Sequence, residues 1–295
     1  MSYNFAIVGD WGCTSDTKKT VQSIEDINPE LIFDLGDMSY KTTADCWLKI
    51  VDSIDENMKM IVGNHDVITP ALLKQYMHHF ELSKTYYSFD YNNIHFLMMD
   101  SESSYLPGSD PNFTGLENTE QYRFVESDLS AASKNPNIKW IIVLSHRQLY
   151  SSLCGDHDSC EPIKKLRNAY HPLFEKYNVD LVISGHAHNY QRTYPLMFNE
   201  NNSSIPIINN SETKTYHDSN GQIYLIVGTG GISIDPLSSK ESYIIYQQDN
   251  KFGFLNLVMN NGSILKGEFI SNKGKVLDTF EIRKNEKVFS NYNLG

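Results

Sequence analysis

Two histidines separated by one residue are the sequence feature most suggestive of chemistry. They lie in Gly185-His186-Ala187-His188, directly after a mostly apolar run over residues 179–184. Such a run predicts a buried strand, so both imidazoles are expected in the loop beyond a strand end. Imidazole binds metal ions and exchanges protons near neutral pH. The pair alone is a weak signal, but four other motifs in the chain have the same form.

Five predicted strands each end in residues that can bind a metal ion. The candidate ligands are Asp10, Asp37, Tyr40, Asn64, His146, His186 and His188. Each of them, taken alone, is more often a turn residue, a helix cap or a packed core side chain. In α/β sheets, however, ligands collect at the carboxyl ends of the strands. Because all seven follow predicted strands, we expect them to converge on one metal site.

The number and type of these donors indicate which metals they suit. Seven donors are too many for one zinc ion, which takes four ligands or fewer plus water. They suit two ions that share one bridging carboxylate. Nitrogen and oxygen donors without thiolate fit iron, zinc or manganese. A tyrosinate donor favours a hard trivalent ion and therefore predicts Fe(III) on one side.

This set of motifs resembles the five-block signature of the calcineurin-like metallophosphoesterases. Gly36-Asp37-x-x-Tyr40 is similar to the purple acid phosphatase version of that signature. The resemblance continues through residues 185–192, 227–231 and 252–254. It implies a four-layer α/β/β/α sandwich with a dinuclear metal site at the C-terminal strand ends. It also implies a metal-dependent phosphoric ester hydrolase of the acid phosphatase type.

The same resemblance assigns a role to each candidate ligand. Asp10, Tyr40 and His188 would hold the ferric ion. Asn64, His146 and His186 would hold a divalent ion (iron, zinc or manganese), and Asp37 would bridge the two. His65 matches the substrate-facing histidine of the family. Phosphate monoesters would be hydrolysed by direct attack of a metal-bound hydroxide, without a phosphoenzyme.

Two positions depart from the family pattern. The family often has Glu where this sequence has Gln191, and relatives commonly have proline where it has Gln148. A contact made by that glutamate in relatives is therefore in doubt here.

The charge of the chain bears on its partners. The formal net charge is −11, from 36 acidic and 25 basic residues. General nucleic-acid binders are usually basic, so that class is disfavoured. A phosphate site needs local positive charge, which metal ions would supply. The expected partner is a phosphorylated small molecule or a phosphoprotein. The candidate substrate contacts are Arg147, Tyr150, His157 and Arg192.

Two other functions remain open at this point. A metallophosphodiesterase acting on nucleotides or lipid head groups would use the same metal site. It would differ in the loops at residues 101–118 and 151–160, whose shape the sequence does not reveal. A non-catalytic metal-binding or phosphate-binding protein would be marked by the loss of a ligand, and all seven ligands are present.

The remaining pattern predicts one α/β domain over residues 1–295. Helices are expected over Thr17–Ile27, around residues 122–132 and around residues 163–169, with Pro172 beginning a separate turn or short helix. After about residue 220 the pattern predicts antiparallel strands. Turns at residues 260–262 and 272–274 would join them.

The cysteines and the apolar runs bear on redox state and location. No CxxC pair occurs, which disfavours a structural zinc site. Cys13 could pair with Cys46, and Cys154 with Cys160, or all four could be reduced. No apolar run is long enough to cross a membrane. The chain is expected to be soluble, either intracellular or secreted with the signal absent from this chain. The oligomeric state stays open.

Overall fold

The computed structural model describes residues 2–102, 115–152, 160–218 and 220–285. Fifteen strands and five α-helices lie in these ranges. The helices are α1 Ser15–Glu25, α2 Asp45–Val51, α3 Pro70–His79, α4 Glu120–Lys134 and α5 Cys160–Lys176. The strands are β1 Ser2–Val8, β2 Leu31–Asp34, β3 Met58–Met60, β4 Tyr87–Tyr91, β5 Ile94–Met98, β6 Trp140–Ser145, β7 Leu181–Ser184, β8 Tyr190–Met197, β9 Ile207–Ile208, β10 Thr215–His217, β11 Gln222–Val227, β12 Ile244–Gln248, β13 Gly253–Asn260, β14 Ile264–Ser271 and β15 Val276–Arg283.

The strands form two sheets that pack face to face. The first sheet has the order β10-β15-β14-β13-β1-β2-β3, and the second has the order β12-β8-β11-β7-β6-β5-β4, with β9 beside β8. Side chains such as Phe33, Phe96 and Leu255 fill one core between the sheets. A second core, including Val125 and Leu173, joins α4 and α5 to the outer face of the second sheet. The predicted four-layer α/β/β/α sandwich is confirmed.

The strands that lead to the candidate ligands run parallel to one another. β1, β2 and β3 are parallel in the first sheet, and β6, β7 and β11 are parallel in the second. The carboxyl ends of the two sheets meet, because Gly9 N donates to Val227 O at 3.0 Å. All five ligand-bearing loops therefore open at the same edge of the sandwich.

The chain after residue 220 is interleaved with the chain before it. β11 lies between β7 and β8, and β13 pairs with β1. The strands β13, β14 and β15 are antiparallel, as expected. Asn261 and Gly262 both have positive φ at the first turn, which an Asn-Gly pair favours. That residues 1–295 form a single domain stays a prediction.

One predicted helix boundary is wrong. α5 runs without interruption from Cys160 to Lys176 and contains Pro172. Proline removes one helical hydrogen bond and crowds the preceding turn. The neighbouring residues Ala169, Leu173 and Phe174 are buried in the second core, and this packing holds the helix together across the proline.

Cys13 and Cys46 form a disulfide, with their Cα atoms 5.9 Å apart. One of the two pairings left open by the sequence is therefore present. The other, Cys154 with Cys160, lies outside the residues whose side chains are described. Within the described ranges, no helix has the length and apolar character needed to cross a bilayer.

Candidate metal centre

The loops that carry the candidate ligands are tightly turned. Asp10, Asp37, Tyr40 and His186 all have φ between 55° and 67°. This left-handed backbone is strained for residues other than glycine and persists only where the surroundings enforce it. At Gly36 (φ 88°) an added Cβ would lie 2.5 Å from Gly63 N, so the loops after β2 and β3 touch there. These turns direct the side chains toward one another.

Three of the seven donors form a first cluster. Tyr40 Oη lies 3.1 Å from Asp10 Oδ1 and 2.8 Å from His188 Nε2. His188 Nε2 lies 3.4 Å from Asp10 Oδ1. The other ring nitrogen of His188 contacts Ser233 Oγ at 2.6 Å, so the ring is held from behind. One carboxylate, one phenol and one imidazole thus meet at a point.

The other four donors form a second cluster around His146. Its Nε2 lies 3.2 Å from Asn64 Oδ1, 3.2 Å from His186 Nδ1 and 3.5 Å from Asp37 Oδ2. His146 Nδ1 lies 2.7 Å from Leu35 O. A carbonyl oxygen only accepts, so Nδ1 carries a proton and Nε2 is the ring nitrogen that faces the cluster. Metal-binding histidines are commonly oriented in this way.

A hydrogen bond from a backbone amide joins the two clusters. His186 N donates to Asp10 Oδ2 at 2.8 Å, so a residue of the second cluster is bound to a ligand of the first. At the second cluster, His65 N donates to Asp37 Oδ1 at 2.7 Å and connects the Asn64 loop to Asp37. The clusters are therefore adjoining parts of one site.

Asp66 is a structural residue of the site that the sequence analysis missed. Its buried carboxylate accepts hydrogen bonds from Gly63 N, Asp37 N and Met38 N. It ties the loop of Asp37 to the loop of Asn64. Burial, aided by the charge of Asp37, raises the pKa of Asp66. Its place at the end of Gly63-Asn64-His65-Asp66 was the available signal.

The electrostatics of the protein alone do not favour an ionised Tyr40. Burial raises the pKa of Tyr40 well above its usual value, and Asp10 and Asp37 add to the rise. Burial also opposes charge on His146, yet Asp37 raises the pKa of His146 to about 10. These groups thus retain protons that metal ligands must lose. A cation among the carboxylate, phenol and imidazole donors would supply the missing charge, so the donor set fits metal ions.

A cavity of about 310 Å³ opens onto both clusters. Its lining comprises Asp37, Tyr40, Asn64, His65, His186, His188, Ile232 and Ser233. The half-buried His65 ring lies over Tyr40, with ring centroids 4.3 Å apart. His65 is therefore the lining residue that the sequence singled out and that belongs to neither cluster.

The structure places the predicted substrate contacts differently. Arg147 is buried beside the site, with Nε 2.8 Å from Glu102 Oε1 and Nη1 3.5 Å from His186 Nε2. It stands behind a candidate ligand and does not line the cavity. His157 lies outside the described residues.

Neither Tyr150 nor Arg192, which were predicted as substrate contacts, lines this cavity. Tyr150 is buried in the second core, where its hydroxyl lies 2.8 Å from His171 Nδ1. Arg192 donates to both carboxylate oxygens of Asp278, at 2.7 and 2.9 Å. Side chains alternate along a strand, and this alternation turns Arg192 of β8 toward β15 of the other sheet.

The two departures from the family pattern are both buried. Gln191 accepts a hydrogen bond from Ser152 N at 2.8 Å and donates to Asn189 Oδ1 at 2.8 Å. It therefore bridges the loop after β6 to the loop after β7. The amide of Gln148 makes no hydrogen bond with the described part of the chain.

The fold and the site define a class: an α/β sandwich with two adjoining groups of candidate metal ligands at the strand ends. The chain belongs to the calcineurin-like phosphoesterase family, whose model matches residues 3–190. Residues 221–279 match a second model, described as iron/zinc purple acid phosphatase-like protein C. The resemblance drawn from the sequence motifs is confirmed.

Individual relatives are similar over nearly the whole chain. Probable inactive purple acid phosphatase 24 of Arabidopsis thaliana is 27% identical over 92% of this chain, which spans 46% of that relative. A nucleotide pyrophosphatase/phosphodiesterase of Hordeum vulgare is 28% identical over 92% of this chain and 76% of its own length. The solved purple acid phosphatase from yellow lupin seeds has a TM-score of 0.76 at 25% identity. That match covers 97% of this chain and 54% of the lupin chain.

Proposed function

We propose that this chain is a dinuclear-metal phosphoesterase that hydrolyses phosphate monoesters. One observation carries the proposal: all seven predicted donors fall into two adjoining clusters that open onto one cavity. The chain spans about half the length of the first curated relatives it matches. The activity and substrate are therefore proposed for this chain and are not transferred from those longer relatives.

The two clusters suggest how two ions would be shared. Asp10, Tyr40 and His188 would hold Fe(III), and Asn64, His146 and His186 would hold a divalent ion. Asp37 would serve both. When bound, such ions activate water and neutralise the charge of the phosphate. The match to an iron/zinc purple acid phosphatase model supports this choice of metals.

The residues of the chain would hold and orient the reactants. His65 lines the cavity beside Tyr40, and we expect it to contact the phosphate or to give a proton to the leaving oxygen. Asp66 fixes the loops of Asp37 and Asn64. Ser233 is a hydroxyl of the cavity lining, and its contact with His188 Nδ1 would help to hold that ring in place.

A phosphodiesterase is the second candidate. It is favoured by the barley relative, whose printed name includes phosphodiesterase and of which this chain covers 76%. Other relatives are named probably inactive. Inactivity through a missing ligand does not apply to this chain, because the structure brings all seven donors together.

The proposal is tested on purified protein by elemental analysis and by turnover of matched monoester and diester substrates. The expected result is two metal ions per chain and a kcat/KM for the monoester at least about 10-fold above that for the diester, a difference of roughly 1.4 kcal/mol in transition-state stabilisation. The reverse ranking would select the phosphodiesterase. Two bound metals with no turnover of either substrate would contradict an enzymatic role.

A further inference from the structure

We propose that the Cys13–Cys46 disulfide positions the ligands of the first cluster and makes that half of the metal centre sensitive to thiol redox chemistry. This inference rests on the proposed dinuclear site. It concerns Asp10 and Tyr40, which come from different loops and must nonetheless place their oxygens 3.1 Å apart.

The disulfide lies on the chain directly after both ligands. Cys13 follows Asp10 by three residues, and Cys46 is the second residue of α2, which follows the Tyr40 loop. The bond joins positions that are 33 residues apart in sequence. The covalent loop that it closes therefore begins just after Asp10 and contains both β2 and Tyr40.

A short ladder of backbone hydrogen bonds leads up to this bond. Asp10 N donates to Gly36 O, Trp11 N to Asp37 O and Gly12 N to Met38 O, at 2.8–3.0 Å. The next residue on one side, Cys13, has its sulfur 3.5 Å from Ser39 O. The disulfide thus links the two chain segments at the end of the ladder that is nearest to Tyr40.

The backbone conformation at Asp10 and Tyr40 requires restraint by neighbouring structure. Asp10 has φ 62° and Tyr40 has φ 55°, both in the left-handed region that is strained for these residues. Strained residues keep their conformation only when neighbouring structure over-determines it. Beyond the ladder, the restraints next to Tyr40 include the disulfide and two hydrogen bonds, from Ser39 N to Tyr76 Oη and from Lys41 N to Ser39 Oγ.

The second cluster is held by other means. Its Asn64 loop is fixed by Asp66, and the His146 ring is fixed by Leu35 O. Asp37 belongs to the ladder but is also held by Asp66. Loss of the disulfide should therefore weaken the Asp10–Tyr40–His188 cluster more than the Asn64–His146–His186 cluster.

The disulfide is also reachable from solvent, because both cysteines are half-buried and not enclosed in the core. A trialkylphosphine would reduce it without binding metal as a dithiol does. The sulfur–sulfur bond takes two electrons from phosphorus and two protons from water, giving two thiols. The oxygen of that water ends on the phosphine oxide.

The test compares the parent protein with a Cys13→Ser/Cys46→Ser variant, both loaded with iron and a divalent metal. Metal content and the visible tyrosinate band are followed against increasing chelator. In the variant, the band and one metal should be lost at a chelator concentration about tenfold lower than in the parent, the scale expected when a ligand loses an orienting partner. The second metal should leave at an unchanged concentration.

A core variant distinguishes positioning from general stabilisation. Leu129→Ala removes a side chain of α4 that is buried in the second core, on the outer face of the second sheet. It should lower stability but leave both metals equally tightly held. Equal weakening of both metals in the double-serine variant, or no weakening of either, would overturn the inference.

A second measurement, with zinc as a metal that the phosphine cannot reduce, covers the case in which the double variant fails to fold. The parent protein is loaded with zinc alone and treated with the phosphine, and bound zinc is counted before and after. The expected result is the loss of one zinc per chain. Retention of both would reject the inference and leave the metal centre intact, whereas a parent that binds no metal would reject the proposed function itself.

Discussion

The Tyr40 hydroxyl and Nε2 of His188 lie 2.8 Å apart, although 148 residues separate them in the sequence. One follows a strand of the first sheet and the other follows a strand of the second. Their contact, together with Asp10, exists because the carboxyl ends of both sheets meet at one edge. The properties of this contact can be measured directly.

Tyr40→Phe should abolish the colour of the oxidised, iron-loaded protein. The expected absorption arises from charge transfer between tyrosinate and Fe(III), and phenylalanine has no oxygen to bind the metal. The measurement is the visible spectrum of matched samples. Tyr87→Phe is the control, because that phenol donates to Met60 O and belongs to neither cluster. A colourless, iron-free parent with full activity would refute the ferric assignment.

Asn64→Ala and His146→Ala should each reduce bound metal from two ions to one per chain. Both changes remove a donor from the second cluster, and kcat should fall by more than about 100-fold, the upper range for loss of an orienting partner. Elemental analysis and initial rates provide the test. Asn4→Ala removes an amide paired with Asn256, and it should change neither quantity. Normal turnover in both ligand variants would disprove the ligand assignment.

His65→Ala should lower kcat and leave both metals bound. A positioned proton donor contributes about 10²- to 10⁴-fold to a rate, so the fall should lie in that range. Metal analysis and kinetics on the same samples provide the check. The control is His79→Ala, since His79 pairs with Asp55 away from the site. Loss of metal in the His65 variant would show that His65 is a ligand or a structural residue.

Arg192→Met should destabilise the protein without a specific effect on substrate binding. The substitution leaves Asp278 buried without its cation, and breaking such a pair costs about 3–5 kcal/mol. Urea unfolding gives the free energy, and KM reports the site. Arg192→Met/Asp278→Leu should regain part of the loss. A raised KM with an unchanged free energy of unfolding would instead show that Arg192 contacts the substrate.

His171 should make the metal-free protein less stable as the pH falls. Burial lowers the pKa of His171 to about 3, while Tyr150 Oη and Gln222 Oε1 hold its neutral ring. Below the unfolded-state pKa of about 6.5, the imidazole of His171 is protonated in the unfolded chain but stays neutral in the folded chain. This one group should therefore cost about 2 kcal/mol between pH 7.5 and pH 5.

The measurement for His171 is urea unfolding at both pH values in the presence of a chelator. His171→Gln should reduce the pH dependence by that amount, because glutamine does not titrate. His79→Gln, an exposed position, serves as the control. An identical slope in the parent and in His171→Gln would show that His171 is not held neutral.

The sequence by itself predicted which residues would come together at the strand ends. Strand periodicity located β1, β2, β6 and β7, and the polar residues after them follow from the chain order alone. The turns around Gly262 and Gly274 were also readable, because a positive φ at these positions is a local property. The proposal of iron with a divalent ion also rests on the types of donor atom, without any knowledge of distances.

Only the tertiary structure decided how distant parts of the chain face one another. The packing of the sheets and helices places Arg192 against Asp278 and Tyr150 in the second core, whereas both were predicted from the sequence as substrate contacts. Tertiary packing also keeps α5 continuous across Pro172. It brings Cys13 and Cys46 together, and it places the Asp66 carboxylate where it binds the backbone of the Asp37 loop. Each outcome depends on contacts between segments far apart in sequence, and the periodicity of a single strand or helix does not encode them.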